Sequence, residues 1–296
     1  CFLAWILTAF LSVVCWKFPA GNMATATLEG VLNALWPICL VIIAALFTYN
    51  LILKTGAMEE IKKMLAGVSK DKRVLILLIG WGFGNFMEGM AGFGTAVAIP
   101  ASMLAGIGVD PIGAVVGCLV VNSTPTAFGS VGVPTVTLVS VAGVETMALS
   151  AHVAMLQAIL VILSPFLLVA IGSRSVKALK GMVPMILIAA LSYLIPWYAA
   201  ACFIGPELPD IIGSICSMVC IVLASRVLNR EPAPEYSIEV FGKTAGHSFT
   251  VGEGLKAWCP FVLIFILLMA TSNLCPPVHN AIAGIKTSVQ IYSGEN

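Results

Sequence analysis

The stretch "NFMEGMAGFGTAVAIP", residues 85–100, lies inside one of the most apolar parts of an apolar chain. It carries a carboxylate, Glu88, and three glycines, Gly89, Gly92 and Gly94. Glycine exposes backbone, and a carboxylate wants water or a partner. Both stand where a membrane span belongs. The reading of this contradiction decides the fold.

The surroundings fix the solvent. The chain has 296 residues, of which 59% are hydrophobic and only 10% charged, and its mean hydropathy is +1.04. Soluble domains carry about 25% charged residues. Apolar runs recur at 1–16, about 35–53, about 74–108, about 112–142, about 153–171, about 182–201, about 210–224 and about 257–271. Several reach the roughly 20 residues a helix needs to cross the hydrocarbon core. The fold class is therefore an all-α polytopic membrane protein with about eight hydrophobic segments. A net charge of +1 gives no reason to expect a nucleic-acid partner. The nine cysteines form no CxxC pair or zinc-ligand spacing, which leaves them as small buried hydrophobes.

Cationic residues sort between loops. Lys54, Lys62, Lys63, Lys70, Lys72 and Arg73 share one, Arg174, Lys177 and Lys180 a second, and Arg226, Arg230, Lys243 and Lys256 a third. The link 202–209 has no Lys or Arg. The positive-inside rule puts the three cationic loops in the cytoplasm and the 202–209 link outside, with Lys17 marking another outer link. Residues 73 and 174 then lie on one side, so an even number of crossings separates them. Three apolar runs stand between. Either one run enters and returns on the same side, or the long runs are broken.

Two segments supply the breaks, at 82–100 and 120–135. In the first, "GFG" occurs at 82–84 and again at 92–94; Gly80 and Gly84 have the spacing that lets two spans touch. The second, "NSTPTAFGSVGVPT" at 122–135, holds Asn122, Ser123, Thr124, Thr126, Ser130 and Thr135 with Pro125, Pro134, Gly129 and Gly132. Proline removes a helical hydrogen bond. Non-helical backbone survives at membrane depth only where protein covers it or water reaches it. Helices that begin there direct free N–H groups and a partial positive charge at a cavity, a site for an anion. The plain alternative is a kink whose hydroxyls satisfy the freed backbone. No Lys or Arg lies between Arg73 and Arg174 to pair with Glu88. Intramembrane carboxyls of this kind mark ion and proton paths, so Glu88 is read as a candidate proton-coupling site. Structural hydrogen bonding to nearby backbone is the alternative.

The segment 54–73 places Met58, Ile61, Met64, Leu65 and Val68 at helical spacing. It is either a surface-lying membrane helix or a soluble connector. An intramembrane hydrolase needs a nucleophile with a base, or ligands such as HExxH, and neither is present; no GxSxG occurs, and His152 alone lies near a span. No catalytic residue, cofactor or metal is assigned.

At the two broken segments the chain resembles the bacterial L-lactate permease (lactate/glycolate permease) family. The stretches that carry the resemblance are "LWPICLVIIAALFTYNLILKTG" at 35–56, "GNFMEGMAGFGTAVAI" at 84–99, "NSTPTAFGSVGVP" at 122–134 and "FIGPELPDII" at 203–212. Glu88, Gly89, Gly92, Phe93 and Gly94 match the family's acid–Gly then GFG pattern; Asn122, Thr124 and Pro125 match its Asn–x–Thr/Ser–Pro. Thr95-Ala96 stands where family members often have Gly or Ala-Pro. The resemblance implies transport of lactate or glycolate with protons, in the bacterial inner (plasma) membrane. Together with the broken-helix physics it gives a substrate site of Gly89, Gly92, Phe93, Gly94, Thr95, Asn122, Ser123, Thr124 and Thr126, with Glu88 for the proton. The partners are a small monocarboxylate, H⁺ and the lipid bilayer; no oligomeric state follows. Other anion transport, cation–proton antiport on a similar build, and a non-transporting fragment acting as a scaffold or sensor are the alternatives. The chain reads as a transporter half at 1–271, truncated at both ends. A polar tail at 272–296 would lead to a second half. In "FIGPELPD", Glu207 and Asp210 read as a polar turn closed by Pro206 and Pro209, with an access path as the alternative.

Overall fold

The computed structural model describes residues 2–92, 94–228, 233–237 and 251–271, with residues 275, 277, 278 and 281 besides. Among these the chain is helical, and its only extended pairing is an isolated bridge between Asp71 and Ser237. The helices are α1 (Phe2–Val14), α2 (Ala20–Asn33), α3 (Cys39–Lys54), α4 (Ala57–Ala66) and α5 (Lys72–Leu75). A π-helical stretch, Ile76–Phe83, joins α5 to α6 (Gly84–Met90). Then come α7 (Thr95–Gly106), α8 (Pro111–Asn122), a 3₁₀ turn at Pro125–Phe128 and α9 (Gly129–Ala142). The last four are α10 (Thr146–Gly172), α11 (Val183–Phe203), α12 (Pro209–Leu228) and α13 (Val251–Thr271). Four helical segments, 125–142, 146–172, 183–203 and 209–228, are long and apolar enough to cross a membrane.

The π stretch and α6 form the centre. Every residue from Ile76 to Met90 is buried. Glycine makes this possible by letting neighbours close in. A Cβ at Gly80 would lie 3.0 Å from Leu168 of α10, and one at Gly82 would lie 2.6 Å from Met218 of α12. Gly84 faces Pro100 and the carbonyl of Ala96 on α7. In lipid, close packing rather than escape from water holds such contacts. Two polar groups in this core share an acceptor: Trp81 Nε1 and Ser217 Oγ both donate to the carbonyl of Ala189, at 3.3 and 2.9 Å. Large apolar side chains remain on the rim, such as Leu156, Ile159 and Leu163 of α10, as a lipid-facing surface demands.

The question of crossings between 73 and 174 resolves through contacts at one end of the bundle. Lys72 Nζ donates to the carbonyl of Gly108 at 2.7 Å. The segment 72–108 therefore enters and returns on the same side, turning at 91–94. Arg174 pairs with Asp110 at 2.9 Å, and Arg73 reaches the carbonyls of Ala178 and Lys180 at 3.4 and 3.5 Å. Residues 72, 108, 110, 174 and 180 share one side. The 27 residues of α10 extend about 40 Å at 1.5 Å per residue, a full crossing. The broken segment 111–142 must supply the other. A re-entrant hairpin and two crossings make an even count. The cationic residues Lys72, Arg73, Arg174 and Lys180 gather at one end, as the charge rule requires.

Caps fix where the broken elements start. Asp110 Oδ2 accepts from Gly113 N at 2.6 Å at the head of α8. Glu145 accepts from Met147 N and Ala148 N, at 2.9 and 2.6 Å, at the head of α10. The helix expected within 54–73 is α4, Ala57–Ala66. Its Met58, Ile61 and Leu65 are buried, and Met64 packs on Gly254 of α13. Its apolar face meets protein rather than a membrane surface or open water. The turn 204–208 also departs from a solvent-exposed link: Gly205, Pro206 and Leu208 are buried.

Candidate functional site

α7 and α8 each run 12 residues from the cationic end, about 18 Å. Their far ends therefore stop well inside a hydrocarbon core of about 30 Å. At that depth the two breaks meet. Ser130 Oγ donates to the carbonyl of Ala91 at 3.2 Å, and a Cβ at Gly92 would overlap the Ser130 hydroxyl. Gly92 (φ 56°) and Gly94 (φ 88°) adopt the left-handed turn that starts α7. In the facing break Ser130, Val131 and Gly132 also have positive φ, at 48°, 60° and 74°. A β-branched residue at φ 60° is a backbone outlier, and such strain persists where the surroundings over-determine it. Here they do: a Cβ at Gly132 would overlap the carbonyl of Pro206. Three segments far apart in the chain, 88–95, 129–132 and 205–210, are thus in direct contact.

Glu88 stands at this junction. It is 5% exposed. Its carboxyl lies on the backbone of Gly129, where a Cβ would overlap Oε1. Oε2 is buried without a hydrogen-bond partner. No lysine or arginine lies between residues 74 and 173 or between 181 and 225. A buried carboxyl without cation or donor is costly unless it is protonated or meets a ligand.

The sequence-predicted residues divide. Gly89, Gly92, Gly94 and Thr95 follow Glu88 along the turn into α7, with Thr95 Oγ1 donating to the carbonyl of Gly92 at 2.7 Å. Phe93 lies outside the described residues. The hydroxyls of the second break have hydrogen-bond partners within the protein. Thr124 and Ser164 of α10 share a buried hydrogen bond of 2.6 Å. Ser123 donates to the carbonyl of Val120 at 2.7 Å and Thr126 to that of Asn122, and both residues are exposed. Asn122 keeps a buried side-chain oxygen without a partner.

Two residues that the sequence reading left unassigned belong here. Asn85, one turn before Glu88, is 1% exposed, and neither of its side-chain polar atoms has a partner. Asp210, read as part of a polar turn, is 1% exposed instead. Its Oδ1 accepts from Tyr193 Oη at 3.0 Å and Trp197 Nε1 at 2.8 Å. Its Cβ packs on Gly89. The signal for Asp210 was Tyr193 and Trp197 themselves. They are four residues apart, so they share one face of the preceding span, and each carries a polar tip that needs a partner when buried. Among the described residues no cluster of His, Cys, Asp and Glu is suited to a metal.

A re-entrant hairpin, a broken crossing and an unpaired buried carboxyl at their meeting point define the class: a polytopic membrane protein with the broken-helix build of secondary transporters. The family model for L-lactate permease matches residues 1–292, and the chain belongs to that family. It is 39% identical over 296 residues to an L-lactate permease of Streptococcus iniae, covering 100% of this chain and 61% of the relative. It is 35% identical over 285 residues to an L-lactate permease of Escherichia coli (strain K12), covering 93% of this chain and 50% of that protein. It is 32% identical over 277 residues to a glycolate permease of the same strain, covering 89% and 49%. The chain thus spans about half to three-fifths of the length of these relatives. No solved structure matches it. Its family and its membrane-crossing helices make it a multi-pass protein of the bacterial inner membrane.

Proposed function

We propose that the full-length protein carries a small monocarboxylate, lactate or glycolate, across the membrane together with a proton. The observation that carries this reading is Glu88: a carboxyl sealed at the contact of two broken helices, with one oxygen unpartnered and no cation nearby. Its relatives' names, L-lactate permease and glycolate permease, supply the substrate class. In this reading the substrate carboxylate meets the backbone turn around 89–95, where α7 begins and its dipole favours an anion. Asn85 offers an unpaired amide in the same core. Glu88 takes up a proton with the substrate and releases it on the other side. Loading neutralises the buried charge, which lowers the cost of moving the site through a low-dielectric interior.

The test is counterflow in vesicles holding the full-length protein. Vesicles preloaded with L-lactate should exchange with external L-lactate, D-lactate or glycolate. Inorganic anions and dicarboxylates should not exchange. Exchange with those anions and not with the monocarboxylates would replace this reading by another anion carrier. Cation-driven proton flux without any anion exchange would replace it by an antiporter.

A further inference from the structure

Asp210 enters the bundle at the head of α12, and its position matches that of no turn residue. It is 1% exposed. Tyr193 and Trp197 hold Oδ1, while Oδ2 is buried without a partner. Its Cβ lies against Gly89, where an added Cβ would approach to 2.9 Å. Gly89 adjoins Glu88 in the chain, so the two acids enter the same buried core from contacting backbone positions. Each therefore offers one oxygen held by its surroundings or lying on backbone, and one oxygen that is free. Two carboxyls buried in one low-dielectric core, in segments without lysine or arginine, cannot both be ionised without compensation.

We propose that Asp210 is the second half of the proton site: Glu88 and Asp210 form a carboxyl pair that shares one proton, and substrate binding and release change the proton count of the pair as a unit. Tyr193 and Trp197 are positioning residues that fix Asp210 Oδ1 and leave Oδ2 for the proton. No bond between heavy atoms changes; one proton enters from water on one side and leaves to water on the other. Tyr193 of α11 donates to Asp210; the turn 204–208 carries Glu207 and α8 carries Cys118, while α7, α9 and the π stretch carry no ionisable group.

Asp210→Asn separates this role from a structural one, because asparagine can still accept the Tyr193 and Trp197 hydrogen bonds at the same oxygen but cannot ionise. Two measurements on the full-length protein form the test. The first follows the infrared band of protonated buried carboxyl groups against pH in the purified protein and needs no transport. Its midpoint should move to lower pH by about one unit or more in Asp210→Asn and equally in Glu88→Gln, since the remaining carboxyl no longer meets a second charge. An unmoved midpoint in Asp210→Asn overturns the pair. The second rests on the transport reading. Lactate exchange should lose its pH dependence in Asp210→Asn, accumulation driven by a pH gradient should be lost, and the double variant should be no worse than either single one. Wild-type accumulation in Asp210→Asn overturns the proposal. If the infrared coupling is present and wild type moves no lactate, the pair stands and the substrate assignment fails.

Discussion

Ser130 donates its hydroxyl to the carbonyl of Ala91 across a gap of 39 residues, at 3.2 Å. This bond ties the turn of the re-entrant hairpin to the break in the second crossing. It requires glycine at 92, because a side chain there would take the place of the Ser130 hydroxyl.

Gly92→Ala should therefore disable the site. The left-handed turn costs a non-glycine residue about 1–2 kcal/mol, and the overlap with Ser130 adds to it. We expect a lower thermal midpoint in detergent and loss of substrate exchange. Ser130→Gly in the same chain should recover part of the stability, which a thermal melt of the double variant measures.

Asn85→Leu distinguishes a ligand-binding amide from a spare one. Replacing a buried, unpartnered amide by an apolar side chain of similar size removes a desolvation cost of about 1–3 kcal/mol. The variant should melt at a higher temperature and yet exchange lactate at least tenfold more slowly. Unchanged exchange would remove Asn85 from the site.

Trp197→Phe takes one of two donors from Asp210 Oδ1. Hydrogen bonds to a charged or partly charged acceptor are worth about 1.5–3 kcal/mol. Stability should fall by that amount, and Tyr193→Phe with Trp197→Phe should cost more than the two apart, because the acceptor is then left with nothing.

At the cationic end, Asp110 caps α8 and pairs with Arg174. Arg174 is 60% exposed, so the ion pair itself contributes at most about 1 kcal/mol. Arg174→Ala should change the melt little, whereas Asp110→Ala should lower it by about 1 kcal/mol through the lost cap. Asp110→Asn should retain most of the cap.

Much of this was readable from residues alone. Proline, glycine and hydroxyls inside two overlong apolar runs announced the breaks, and Glu88 stood out as a carboxyl without a cation, because each violates what a plain span allows. The charge rule turned the same runs into a counting problem, which the Lys72–Gly108 and Arg174–Asp110 contacts answer. The turn "FIGPELPD" misled for a physical reason. Two prolines and two acids look the same in water and in a protein-lined recess, and only the docking of Gly132 on Pro206 decides between them. Asn85 escaped notice because an asparagine in a span carries no charge to flag it. The hydroxyls of "NSTPT" were legible as polar but not as already occupied, since Ser164, the partner of Thr124, sits 40 residues away on α10.

The most direct test of the account is lactate accumulation driven by an imposed pH gradient, in vesicles holding full-length protein with Glu88→Gln. The account predicts that the variant still exchanges lactate down its gradient, with a rate that no longer follows pH, and accumulates none uphill. Accumulation equal to wild type, with the same pH dependence, would contradict Glu88 as the proton site.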